Sequence, residues 1–329
     1  EDSVDLIYGN PPCSGFSPVN AQRGVDYGAN VCQARFVEFA ISRQPQVLVY
    51  ENVRGLITIG SSLMMELAGM MSAAGYKPHV VLVNAWRHGA PQLRRRLFFV
   101  GSRVELPFEE VAAFQTSPLS IDKVLGDLVD QPSNHSSELA PYAAPPLGKW
   151  QELLRAGSDG VTCHEVAMPK NPVKTAVLLE AYSRLAEGQS LRSLGFTGIL
   201  TARLRWGAPS RVPIGNRFIH PLRARQLTVR ETARLMGLPD VFDFVPKRSL
   251  KMPPVRNVGD LYQQVCKAVP TLVAEWIARV AALGIADARP VHDTTFEMVK
   301  PYDDRFDADS ASDLIEAIEE EKEEEEEVT

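Results

Sequence analysis

The sequence predicts an α/β protein built on a doubly wound sheet, and three observations carry that prediction. Short apolar runs at residues 4–8, 47–50, 79–83 and 97–101 alternate with segments of helical apolar spacing. Strands that alternate with helices form a sheet covered on both faces. A cysteine, Cys13, stands on the stiff turn Asn10-Pro11-Pro12 directly after the first run. That is the carboxyl end of a strand, where open α/β sheets collect ligands and chemistry. Between about 102 and 217 the alternation breaks down, with more Pro and Gly and weaker periodicity, so a second domain is inserted there.

The elements follow in order. Residues 18–30 are polar, carry Gly24 and Gly28, and read as a loop after the cysteine. Residues 31–43 have helical spacing, ended by Pro45. The strand at 47–50 leads into Glu51. Residues 61–74 are helical, with Ser61 or Ser62 as N-cap, Gly75 just past the end, and a core stripe of Leu63, Met64, Leu67, Met70 and Met71. Arg203, Arg205, Arg211 and Arg217 gather late in the insertion. Thr228 begins a helix with Glu231 three residues on, a capping box. Residues 261–283 form a long helical stretch around Pro270.

Length, 329 residues, suits two domains or one with a large insertion. The net charge of −6 hides a division: residues 287–329 hold 17 acidic and four basic side chains, a net of −13, so the first 286 carry +7. A basic body suits a polyanion partner, and the acidic end reads as a solvated, disordered tail. Cys13, Cys32, Cys163 and Cys266 lack paired spacing and fit neither a disulfide framework nor a zinc site, which points to a reducing cytosol. Cys163-His164 has no second pair at ligand spacing, and His135, His164 and His220 read as surface or structural residues. No apolar run is long enough to span a bilayer. Position 1 is Glu rather than Met, which suggests a fragment.

Four motifs occur in order: Pro11-Pro12-Cys13; Glu51-Asn52-Val53; Gln92, Arg94 and Arg96 at alternate positions; and Leu227-Thr228 with Arg230-Glu231. Together they resemble the cytosine-C5 DNA methyltransferases. The resemblance implies a Rossmann-like S-adenosylmethionine-dependent methyltransferase sheet. It assigns residues 1–102 and 218–286 to the catalytic domain, 103–217 to a target-recognition domain and 287–329 to the tail. It implies double-stranded DNA as partner, a cytosine flipped out of the duplex, and a place in a restriction–modification system in the cytoplasm, at the nucleoid.

The chemistry fits those residue types. Cytosine C5 becomes nucleophilic once a thiolate adds at C6, and a thiolate can leave again, which favours Cys13 over a serine. A carboxyl group facing N3 and the exocyclic amine stabilises the enamine. Glu51 matches that role, and burial should raise its pKa. Arg94 and Arg96 alternate with Gln92 along a strand, so all three share a face. The resemblance sets both arginines at the flipped nucleotide, Pro12, Lys267 and Ala268 against the donor, and Ser17, Gln92, Arg203, Arg205 and Arg211 on DNA. No base for the C5 proton stands out, and water serves.

Two departures matter. The family's glycine-rich turn and ribose-binding acid are absent, so the strand at 4–8 is expected to be a bare apolar edge. A missing N-terminal segment or a second chain would complete the donor site. The other account is a non-catalytic DNA-binding relative. A tRNA-directed enzyme is disfavoured by the long basic insertion. In the last motif Cys266 and Lys267 replace a Gly-Asn pair. A cation there would repel a sulfonium and pair with a carboxylate. The alternative donor is therefore carboxy-S-adenosylmethionine, giving 5-carboxymethylcytosine.

Overall fold

The structure, a computed structural model, describes residues 3–12, 28–58, 60–111, 118–133, 139–169, 171–196, 201–244 and 257–299. The strands are β1 (Leu6–Gly9), β2 (Val47–Asn52), β3 (Lys77–Asn84), β4 (Arg95–Ser102), β5 (Ala202–Arg203), β6 (Phe218–Ile219) and β7 (Glu297–Val299). The α-helices are α1 (Val31–Ser42), α2 (Gly55–Thr58), α3 (Ser61–Ala73), α4 (Asp122–Leu125), α5 (Lys149–Arg155), α6 (Pro172–Arg184), α7 (Val229–Leu235), α8 (Val258–Lys267) and α9 (Thr271–Asp287). The chain divides into two compact units, one of residues 1–83, 95–113 and 276–329, the other of 84–94 and 114–275. Residues 218–275, assigned from the resemblance to the catalytic domain, thus cluster with the insertion.

The first unit holds a five-stranded sheet in the order β1-β2-β4-β3-β7. β1 and β2 are parallel, joined through α1, with Leu6 beside Val47 and Gly9 beside Tyr50. β4 runs antiparallel to β2, placing Phe98 opposite Glu51 and Leu97 opposite Asn52. The α1 helix ends as expected and buries Gln33, Val37 and Ala40. Phe36 lies against Gly9, where an added Cβ would fall 2.2 Å from its ring and would have to displace it. Val37, Leu48, Tyr50, Leu67, Met71, Tyr76 and Phe99 form the core of this unit. The α3 helix departs from expectation at its start: Gly60 is the N-cap and no side chain caps it, although Ser61 and Ser62 are at hand. Its end is as read, with Gly75 at φ +80° and the Tyr76 N–H donating to the Met71 carbonyl at 3.0 Å.

The two edges of this sheet are finished differently. Residues after α9 return along the sheet: Glu105 N–H donates to Arg289, Val291 N–H to Arg103, and β7 pairs in parallel with β3. Lys77 Nζ meets Glu297 at 2.9 Å. At the other edge β1 pairs with β2 alone among the described residues, and Tyr8 is 45% exposed. The bare edge read from the sequence is therefore present among the described residues.

In the second unit the Thr228–Glu231 capping box forms in full. The helical stretch expected at 261–283 is two helices, because Pro270 has no N–H to continue α8. The run Val258–Asp287 is long and apolar enough by length and composition to cross a membrane. Its apolar side chains Leu261, Tyr262, Val265, Val273 and Val280 are instead buried in the protein. β5 and β6 form a small parallel ladder, with Ala202 beside Phe218.

Candidate active site

Register alone brings the first two motifs together. With Gly9 beside Tyr50 in parallel strands, the Pro-Pro turn after β1 and Glu51 at the end of β2 leave the sheet at the same end. Tyr8 lies beside Val49, and Phe98 opposite Glu51, so Tyr8, Glu51 and Arg96 all project from one face. Arg96 is the diagonal neighbour of Glu51, and its Nε stands 2.5 Å from Glu51 Oε1. That contact is an ion pair rather than an aligned hydrogen bond, and Oε1 accepts no hydrogen bond among the described residues.

Glu51 is 4% exposed. Burial pushes its pKa up to about 7, against the opposing pull of Arg96. The raised carboxyl expected from the sequence is thus found, with a named partner. Tyr8 feels the same site: burial, and next the Glu51 charge, lift its phenol to about 12. Asn52 is fully buried and its Oδ1 accepts the Val53 N–H at 2.9 Å, which fixes the turn after Glu51. Cys13 and Ser17 lie outside the described residues. Pro12 is described and exposed, and Gln33 Nε2 reaches its carbonyl at 3.5 Å.

Gln92, Arg94 and Arg96 do not act on one face of one strand. Arg95 begins β4, and Arg96 turns to Glu51 in the first unit. Gln92 and Arg94 precede the strand and are buried in the second unit, at 0% and 1% exposure. Gln92 Nε2 donates to the Leu235 carbonyl at 2.5 Å, and Arg94 Nη2 to the Cys266 carbonyl at 3.0 Å. Both side chains are thus engaged with backbone carbonyls inside the second unit.

Arg203, expected on DNA, is buried as well. Its guanidinium is buried and donates to the carbonyls of His220 and Pro221, each at 2.7 Å, and to those of Arg223 and Tyr182. It ties the small β5–β6 region together. Arg205 and Arg211 are exposed. Arg205 lies over Gly188, whose φ of +81° and missing Cβ make room for the guanidinium. Lys267 is exposed at the end of α8, and Ala268 beside it is half-buried. Pro12 belongs to the first unit and these two to the second.

His164 and His220 are structural. His164 Nδ1 is 3.1 Å from Thr228 Oγ1, and His220 Nδ1 accepts the Leu222 N–H at 3.0 Å. No group of three His, Cys, Asp or Glu side chains among the described residues could hold a metal.

Sequence reasoning missed Tyr8, Gln33 and the buried cluster of Arg234 with Asp127 and Asp240, in which Nη1 meets Asp127 at 2.6 Å and Nη2 meets Asp240 at 2.5 Å. Nothing in α1 singled out Gln33, since the helix also carries Arg35, Glu38 and Ser42. Nothing local marked Asp127, which is 107 residues from its partner.

Comparison with known proteins places the chain in a family. The family model for C-5 cytosine-specific DNA methylase matches residues 1–282. The type II methyltransferase M.DdeI of Desulfomicrobium norvegicum is 29% identical over 305 residues, covering 84% of this chain and 72% of its own. M.AgeI of Thalassovita gelatinovora is 24% identical, covering 86% of this chain and 84% of its own. The solved structure of a "putative DNA modification methyltransferase" encoded within an E. coli prophage superposes with a TM-score of 0.70 at 22% identity, covering 87% of this chain and 80% of that one, and shares its fold. The chain belongs to the C-5 cytosine-specific DNA methylase family.

Proposed function

We propose that this DNA methyltransferase acts through a covalent cysteine adduct, with Glu51 and Arg96 as the pair that manages charge on the flipped cytosine. The observation that carries the reading is the buried Glu51, raised to about 7 while still facing Arg96. A carboxyl poised there exchanges a proton with cytosine N3 near neutral pH at little cost. Its Oε1 lies 2.5 Å from Arg96 Nε, and the carboxyl is proposed to face the exocyclic amine as well as N3. The Cys13 thiolate forms an S–C6 bond, and the ring's electron pair moves to C5. C5 then takes the one-carbon group from S-adenosylmethionine, whose sulfur leaves neutral. Loss of the C5 proton to water and cleavage of S–C6 return the thiolate. Arg205 and Arg211, exposed in the second unit, are the cations proposed to meet the DNA backbone. The enzyme would work in the cytoplasm on the host's own DNA, as a modification enzyme does.

The open edge of β1 supports a further part of the reading. An apolar parallel strand with one side unpaired takes another strand readily. The donor site is proposed to be completed there, by more of the same polypeptide or by a second chain. A second reading concerns the donor. Lys267 is an exposed cation at the end of α8, and would pair with the carboxylate of carboxy-S-adenosylmethionine.

One experiment addresses both readings. Duplex DNA containing 5-fluorocytosine is offered with either donor, and adducts and released nucleosides are identified by mass. A donor-dependent adduct with the wild type and none with Cys13→Ser supports the mechanism. An adduct that persists in Cys13→Ser overturns it. Release of 5-methylcytosine alone, from wild type and Lys267→Asn alike, removes the carboxymethyl reading.

A further inference from the structure

The segment that leads into β4 is held in the second unit by a short parallel bridge between Gln92 and Ser210. Leu93 N–H donates to the Ser210 carbonyl at 2.9 Å, and Ser210 N–H to the Pro91 carbonyl at 2.7 Å. With the backbone so engaged, the Gln92 and Arg94 side chains both run to helix C-termini. Gln92 Nε2 takes the Leu235 carbonyl at the end of α7 and lies 3.2 Å from Met236 Sδ. Arg94 Nη2 takes the Cys266 carbonyl in the last turn of α8, and Nη1 lies 3.7 Å from the same Met236 sulfur. Cys266 is also held from its other end, where Sγ accepts the Gly215 N–H at 3.1 Å.

The last carbonyls of a helix have no partner within it, and they carry the negative end of its dipole. A buried amide and a buried guanidinium are the groups that satisfy them. We infer that Gln92 and Arg94 are positioning residues that clasp the ends of α7 and α8 and thereby set where Lys267 and Ala268 stand. The resemblance alone places Arg94 at the nucleotide. Its 1% exposure and its hydrogen bond to Cys266 assign it to the helix end instead. The consequence for the donor rests on the proposed role of Lys267 and Ala268, whereas the clasp does not.

The test uses the full chain with Arg94→Met, Arg94→Lys and Gln92→Met. Hydrogen exchange of the α8 amides and alkylation of Cys266 report the helix end, and fluorescence anisotropy reports DNA affinity. Arg94→Met should speed both local readouts by about tenfold or more, and Arg94→Lys, which keeps one donor for the Cys266 carbonyl, should restore most of the protection. DNA affinity should stay within about twofold, and in turnover KM for the donor should rise while KM for DNA does not. Weaker DNA binding with protection unchanged would make Arg94 a nucleotide contact and overturn the inference, as would unchanged protection and unchanged kinetics. If Arg94→Met does not fold, Gln92→Met decides, because it removes the N–H at equal bulk. Its amides at Gly237 and Leu238 should then exchange faster, and unchanged exchange there overturns the clasp. If no variant, wild type included, transfers a group, the proposed function fails while exchange and alkylation still decide the clasp.

Discussion

In each unit a glutamate is buried against an arginine, Glu51 with Arg96 and Glu231 with Arg225, and the two pairs have opposite character. Glu51 meets Arg96 through Nε at 2.5 Å, and burial wins, lifting its pKa to about 7. Glu231 is more deeply buried, and burial acting alone would raise it further. Yet it is held far below the usual carboxylate range. Arg225 grips both of its oxygens at 2.7 Å, and the Thr228 N–H donates to Oε2 at 2.8 Å. His220 and His164 stand beside it, at 3.7 and 4.0 Å. What separates the raised carboxyl from the lowered one here is the set of donors around it: Glu51 has the Arg96 ion pair, and Glu231 has a bidentate arginine and a backbone N–H.

The comparison breaks most visibly in turnover. Glu51→Gln preserves shape and removes the exchangeable acid, so transfer should fall by about 10²- to 10⁴-fold. Single-turnover rates on duplex DNA read this directly. Activity within about threefold of wild type would mean that Glu51 handles no proton.

How much of this contrast could be read from the chain alone depends on how local its causes are. Glu51 was legible because a strand, a turn and a motif are contiguous, and its burial follows from lying in a strand whose residues are all buried. The Thr228 capping box was legible for the same reason, its two residues being three apart. The partners of Gln92, Arg94 and Arg203 were not. The pattern of alternate residues predicted one shared face, but the strand starts only at Arg95, and the side chains before it follow the α7 and α8 ends instead. Arg203 looked like a surface cation because its acceptors are backbone carbonyls, which every sequence has. Conversely, the open edge of β1 was foreseen from the neighbours the motif order left out, and among the described residues β2 is its single partner.

Stability should reverse the ranking of the two glutamates. Glu231→Gln leaves Arg225 buried without its anion and should cost about 3–5 kcal/mol at pH 7. Glu51→Gln should cost little, because the native site already disfavours charge. The pH dependence separates them further. Glu51 has a folded pKa above its unfolded one, so its contribution is full below about 4.5 and is lost as pH rises through about 7, a change of roughly 3 kcal/mol. Glu231 has a lowered folded pKa, so its contribution is full above about 4.5 and is lost only on further acidification. His220, lowered to about 4 by burial despite Glu231, adds a loss of stability as pH falls from about 6.5. Urea unfolding at pH 5 to 8 checks the sign for Glu51, and its extension to pH values below about 4.5 checks the sign for Glu231, each read by exchange of the β2 and α7 amides. Equal penalties for the two variants, or a Glu51→Gln difference that does not grow with pH, would contradict the assignment.

The smallest effect tests which donor holds Glu231 down. Thr228 supplies two things: a backbone N–H to Glu231 Oε2 and a hydroxyl that accepts the Glu231 N–H at 3.1 Å. Thr228→Ala removes only the hydroxyl, so α7 loses its N-cap while Glu231 keeps the N–H and both contacts to Arg225. The expected cost is that of a lost cap, about 1 kcal/mol. The hydroxyl also meets His164 Nδ1, so that buried ring loses a partner, which places the cost toward the upper part of the usual range, about 2 kcal/mol at most. The acid limb below about pH 4.5 should keep its midpoint, because the charge on Glu231 is set by Arg225 and not by the cap. Arg225→Met is the matched opposite. It leaves the capping box intact and should move the acid limb upward, since only burial, the histidines and the Thr228 N–H would then act on the carboxyl. If Thr228→Ala moves that limb as far as Arg225→Met does, the cap carries the charge and the contrast between the two glutamates must be redrawn in terms of backbone N–H groups. If neither moves it, Glu231 is held by the histidines, and His220→Asn becomes the variant that should shift it.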